Sequence, residues 1–141
     1  MNDIDTAREL AKEVKRYIDK VEGPNAPKMV YVAGPYRHPD PCENTKRAMD
    51  IATIMLDSGL VVPILPHLTH YWHSCQPRKE EVWLTLDMHQ LARCDGLYRI
   101  PGKSRGADIE VGVAEHLGMP IFMPGPTQYQ KFMAWVRDED K

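Results

Sequence analysis

An α/β fold built on a parallel sheet is predicted for this 141-residue chain. Segments with helical apolar spacing alternate along it with short apolar runs. The order is helix, strand, helix, strand, helix, strand, helix, strand, helix. Alternation of this kind implies parallel strands covered by helices on both faces. Gly, Pro and Asn clusters separate the segments where turns are needed.

Ala7, Leu10, Ala11, Val14, Tyr17, Ile18 and Val21 recur at helical spacing, so residues 5–21 read as an amphipathic helix. Residues 23–27, Gly-Pro-Asn-Ala-Pro, end it and form a linker. Residues 29–33 form a short buried strand, broken by Gly34-Pro35-Tyr36-Arg37 and a Pro-rich loop to Pro41. Ala48, Ile51, Ala52, Met55 and Leu56 mark a second helix that stops near Gly59. Residues 60–65 are the second strand, and Pro63 inside it suits a sheet edge or a bulge.

Residues 66–78 read as an irregular, His-rich loop. Helix 81–93 carries Trp83, Leu84, Met88 and Leu91, and strand 96–100 follows. Residues 107–117 are helical and end at Gly118; residues 120–123 are the fourth strand. Thr127 and Gln130 predict a capping box for the last helix, whose core face is Phe132, Met133 and Val136. No repeat or low-complexity tract occurs.

With right-handed crossovers the simplest strand order is 2-1-3-4, in a sheet of four to five strands. The chain then winds away from strands 1 and 3 in opposite directions. The crevice at their carboxyl ends is the expected binding site. Its rims are residues 34–37 and 101–106, both of which contain Gly and basic residues.

One domain spanning 1–141 is expected, with 1–22 as a helical extension. The net charge of −2 does not recruit nucleic acid or an anionic membrane. No apolar run approaches the ~18 residues of a membrane span. The amino terminus lacks a signal pattern, and three spaced cysteines fit a reducing cytoplasm.

The stretch Ser104-Arg-Gly106-Ala-Asp-Ile-Glu110-Val-Gly-Val-Ala114 hands a strand over to a helix. Glu110, placed near the first turn, is expected to be held ionised by the helix dipole. An ionised carboxylate can attack an electrophilic carbon, but a Glu at a helix start is equally well a solvent-facing charge. Asp108 points elsewhere and reads as an N-terminal helix charge. Asp87 lies on the apolar stripe of its helix with Trp83, Leu84 and Leu91. It is either a boundary acid bonded to a loop backbone or a group that assists a leaving group. Tyr31 is either a core aromatic or a phenol that bonds a carboxylate or a sugar oxygen. Gly34, Arg37, Ser104 and Gly106 can form an anion cradle, flanked by Lys103 and Arg105.

His67, His70 and His73, near Cys75, allow a zinc site. No carboxylate lies among them, so a mobile flap or subunit contact, with Tyr71 and Trp72 as base-stacking surface, is the preferred reading. His89 and His116 read as helix-surface residues, and His38 as a border of the first loop.

Tyr31-Val-Ala-Gly34-Pro-Tyr36-Arg37, Asp87 and the Ser-x-Gly-x-x-x-Glu-x-Gly-x-Ala motif at 104–114 together resemble the nucleoside 2-deoxyribosyltransferase superfamily. The resemblance covers about residues 28–123. It is closest in motif to the 2'-deoxynucleoside 5'-phosphate N-hydrolases. It implies a flavodoxin-like, Rossmann-like three-layer sandwich and cleavage of an N-glycosidic bond, without metal or cofactor. Glu110 matches the nucleophile, Asp87 the acid near sugar or base, and Tyr31 the tyrosine that orients the nucleophile. Ser104 and Arg37 match phosphate-contacting positions of the hydrolase branch; Gly34, Tyr36 and Gly106 belong to the same substrate-binding loops. Pro35 removes one backbone N–H from that cradle. The resemblance also implies a homo-oligomer, dimer or higher, acting on a small nucleotide or nucleoside. Base exchange, non-catalytic nucleotide sensing and a His-loop metal hydrolase are the competing readings.

Overall fold

A computed structural model describes residues 2–21 and 26–138. The helices are α1 (Asp3–Val21), α2 (Pro41–Asp57), α3 (Thr69–Cys75), α4 (Glu80–Leu91), α5 (Arg105–His116) and α6 (Gln128–Val136). The strands are β1 (Lys28–Ala33), β2 (Val61–Ile64), β3 (Gly96–Arg99) and β4 (Ile121–Phe122), in the order β2-β1-β3-β4. All pairings are parallel, with Val30 opposite Pro63 and Gly96, and Leu97 opposite Ile121. The flavodoxin-like α/β sandwich is thus present. Residue 22 of the expected helical extension and residues 23–25 of the expected linker lie outside the described part.

Side-chain alternation along β1 divides the core. Val30 and Val32 pack with Ala48, Met55, Phe132, Met133 and Val136, on the α2 and α6 side. Tyr31 and Ala33 pack with Leu91, Leu97, Ala107, Val111 and Ala114, on the α4 and α5 side. Four aromatic rings, Tyr98, Phe122, Phe132 and Trp135, close the first layer at 5.0 to 6.1 Å between centroids. Pro63 sits on β2, an edge strand among the described residues, where its missing N–H is tolerated.

Two local expectations are corrected. Residues 66–78 are not an irregular loop: a 3₁₀ turn (Pro66–Leu68) runs into α3. The helical segment is only seven residues, too short for an apolar period to show. The Thr127–Gln130 capping box does not form, because the Thr127 backbone is not extended and its side chain caps nothing. Gln128 ties the helix start instead, donating from Nε2 to Arg99 O (2.6 Å) and Phe122 O (2.8 Å). The second helix begins at Pro41, with Asp40 accepting from the Cys42 and Glu43 amides.

Candidate active site

The carboxyl ends of β1 and β3 open into a cleft of about 950 Å³. It is lined by both predicted loops, by α2 and by the α3–α4 wall. Gly34, Tyr36, Arg37, Asp87, Ser104, Gly106 and Glu110 all border it. Tyr31 does not border it; it is fully buried behind the site.

Tyr31 and Glu110 meet because both face the α4–α5 layer. Ala107, Val111 and Ala114 turn one stripe of α5 into the core, and Glu110 lies on that stripe. The Tyr31 hydroxyl donates to Glu110 Oε2. Two details differ from expectation. Glu110 is the sixth residue of α5, in its second turn, where the helix dipole has faded. Burial therefore dominates and pushes the carboxyl up to about 8. The Tyr31 hydrogen bond acts the other way, favouring the charged form. Asp108, in the first turn, pairs with Arg99 at 3.0 Å.

Asp87 is not bonded to a loop backbone. Its Oδ1 is buried without a hydrogen-bond partner among the described residues, and burial raises its carboxyl to about 7. Two carboxyls shifted toward neutrality thus border one cleft, a pattern that clusters at functional sites.

Ser104 is the N-cap of α5, its Oγ accepting from Ala107 N at 3.1 Å. Its hydroxyl hydrogen is left to donate. The free first-turn amides of this helix add anion-binding capacity beside it. Gly106 has open space where a Cβ would stand. Gly34 is required by packing: a Cβ there would sit 2.8 Å from Ile100 Cβ. At Gly102 (φ +127°) an added Cβ would sit 2.7 Å from Pro35 Cγ, so the two rim loops can pack this closely only without a side chain there.

Residues not singled out in the sequence hold this geometry. Asn44 Nδ2 donates to Tyr36 O and His38 O, both at 2.9 Å. Arg99, 5% exposed, donates to Ile100 O, to Gly102 O (2.9 Å) and to Asp108. Arg47 joins Arg37, Lys103 and Arg105 on the cleft border. Reading Asp40-Pro41 as an N-cap followed by a first-turn proline would have placed Asn44 and Arg47 one turn apart on one face. Arg37 approaches Glu80 at 3.8 Å with both side chains exposed, a contact worth little.

The histidines serve separate ends. His67 is buried, donates Nε2–H to Pro35 O (3.0 Å), and is held neutral by burial. His70 Nδ1 meets the Tyr36 hydroxyl at 2.7 Å, and its Nε2 lies 3.5 Å from Cys42 Sγ. His73 Nδ1 accepts from Trp83 Nε1 at 2.7 Å. Among the described residues no three metal-ligating side chains converge. Tyr71 and Trp72 are exposed and do not border the cleft, contrary to the stacking role expected of them; His70, His73 and Trp83 form that wall. Trp72 packs edge-on against Trp83, 5.2 Å between centroids.

Residues 28–123 match a family model described as a domain of unknown function, DUF7768. The match spans more than half of the sequence, so the chain belongs to that family. No curated protein matches the chain.

Proposed function

We propose that this member of the DUF7768 family hydrolyses the N-glycosidic bond of a (deoxy)nucleoside 5'-monophosphate. The observation that carries the reading is Glu110, hydrogen-bonded by Tyr31 and bordering a cleft that also contains Asp87 and a basic rim. The Glu110 carboxylate attacks the anomeric carbon, forming an ester as the carbon–nitrogen bond breaks. The bonding electrons leave with the base, which takes a proton from Asp87. Water then attacks the same carbon, gives a proton to Asp87 and frees Glu110. Nucleotide and water become free base and sugar phosphate. Ser104, Gly106 and the α5 amides bind the phosphate, with Arg37 and Arg47 supplying charge. Tyr31 is a positioning residue.

The two carboxyls set the pH dependence. Glu110 must lose its proton, so the rate rises with pH toward about 8. Asp87 must keep its proton, so the rate falls as pH passes about 7. A bell centred between these values is expected.

Incubation with ribo- and deoxynucleoside 5'-monophosphates, followed by chromatography for free base, tests the reading. Absence of base from every nucleotide and nucleoside sinks it. Adding a second base separates hydrolysis from deoxyribosyl transfer, since only a transferase makes the exchanged nucleoside. A binding-only role draws on the same raised Glu110 pKa, because a protonated carboxyl is not a nucleophile. Intact nucleotide retained by the purified protein would favour it. We also infer a cytoplasmic homo-oligomer. The three cysteines are free, as suits a reducing compartment, and no described helix is long and apolar enough to cross a membrane.

A further inference from the structure

We propose that His73 selects nucleotides whose base bears a carbonyl, not an amino group, on the ring edge remote from the sugar, its Nε2–H donating to that oxygen. This selectivity presupposes that nucleotides are cleaved in the cleft, and it names which ones. Asp87 gives its proton to the departing base, so the base lies on the α4 side. Trp83 and Leu84 stand one helical turn before Asp87, and all three border the cleft. The base therefore meets a largely apolar wall, where a few placed polar groups set specificity.

The hydrogen bonds of His73 say which kind of atom it presents. Its Nδ1 accepts from Trp83 Nε1 at 2.7 Å and from the Arg78 backbone N–H at 3.3 Å. An indole nitrogen and a backbone amide can only donate, so Nδ1 keeps a lone pair and the ring hydrogen sits on Nε2. His73 borders the cleft, and its Nε2 has no hydrogen-bond partner among the described residues. The ring also stands edge-on to Trp83, 5.7 Å between centroids. The donor is thus oriented before any ligand arrives, which lowers the cost of binding.

Neighbouring donors are spent elsewhere. Trp83 gives its one indole N–H to His73. Thr69 Oγ1 donates to Pro66 O at 3.0 Å, and Ser74 Oγ to His70 O at 2.9 Å. His70 faces the Tyr36 hydroxyl with Nδ1 and Cys42 Sγ with Nε2. Among the described residues, His73 Nε2–H is therefore the uncommitted side-chain donor of the α3–α4 wall besides Asp87. An amino group set against it would leave both donors without an acceptor. The reaction favours the same choice. As the carbon–nitrogen bond breaks, its electrons pass into the base, and a conjugated carbonyl oxygen takes up part of the charge. A hydrogen bond from Nε2–H to that oxygen strengthens in the transition state. Asp87 supplies the proton that the base takes away, and His73 keeps its own.

Base release from matched substrates tests this: uridine against cytidine 5'-monophosphate and inosine against adenosine 5'-monophosphate, each as ribo- and deoxynucleotide. The members of a pair differ at that edge by oxo in place of amino. In whichever pair is cleaved, kcat/KM should favour the oxo member by about tenfold or more. His73→Leu should bring the two members to within about twofold, chiefly by slowing the oxo one. His73→Gln, which keeps an N–H, should retain part of the preference. Equal rates within the pairs, or preference for the amino member, overturn the proposal and leave nucleotide cleavage standing. So does a His73→Leu variant that slows both members alike, since His73 then only props Trp83. Release of base from none of these nucleotides sinks the cleavage reading and the selectivity with it.

Discussion

On the floor of the cleft, Glu110 and Asp87 are carboxyls drawn out of water; on its rim, Arg37, Arg47, Lys103 and Arg105 remain in it. Burial gives the floor its chemistry. It shifts the carboxyls to about 8 and about 7, near working pH, and it costs stability when they ionise. The rim's charges pay no such penalty, and salt screens them. A floor substitution should therefore change rate, pH profile and stability together. A rim substitution should change affinity, and only at low salt.

The largest effect is expected from Glu110→Gln. Base release should fall by about three orders of magnitude or more if Glu110 is the nucleophile. The same variant should raise stability. The folded carboxyl titrates above its ordinary value near 4.5, so the folded state holds the extra proton between there and about 8. Stability is then lost as pH rises through that window, and the loss is complete above it. Glu110→Gln removes the loss, giving on the order of 4 kcal/mol at pH 8.5 and about 1 kcal/mol at pH 5 in denaturant melts. An equal gain at both pH values would mean that burial is not what shifts Glu110.

Tyr31→Phe should lower kcat by about tenfold to a hundredfold, and its pH profile carries the more telling signal. Without the phenol donor the Glu110 carboxylate is less favoured, so the rising limb should move to higher pH. A slower enzyme with an unmoved profile would reduce Tyr31 to a packing residue. On the rim, Arg47→Ala should raise KM for monophosphates about fivefold at low salt, leave kcat alone, and lose most of its effect above ~0.5 M salt. The smallest effect on the fold is expected from Gly106→Ala. No atom lies within 4 Å of the added methyl, so a helix start should gain up to ~1 kcal/mol. Phosphate affinity should nevertheless fall, because the methyl occupies the space an anion would approach. Unchanged affinity would move the phosphate away from this helix.

The fold was largely legible in the chain because its signals are local and repeated. Apolar runs at 29–33 and 96–100, separated by helical periods, specify parallel strands, and Pro63 marks an edge. The floor was legible in part: Asp87 stands out as an acid on an apolar stripe, Glu110 as a carboxylate near a helix start and Tyr31 as a phenol on a buried strand. The wall was not. A seven-residue helix carries too few positions to show a period, and Tyr71 and Trp72 gave no sign that they would face outward.

Residue types at fixed spacings determined by themselves the strand order, the two rim loops and the amphipathic face of α1, because each follows from periodicity along the chain. Only the tertiary structure decided the protonation of Glu110. Helical spacing suggests a carboxylate near the first turn, held ionised by the dipole, whereas the desolvation that dominates comes from β1, α4 and α5 closing around it. Tertiary structure likewise brought Arg47 and Asn44 to the cleft and fastened the rim through Arg99. Those contacts cross irregular loops, which carry no period from which their geometry could be read.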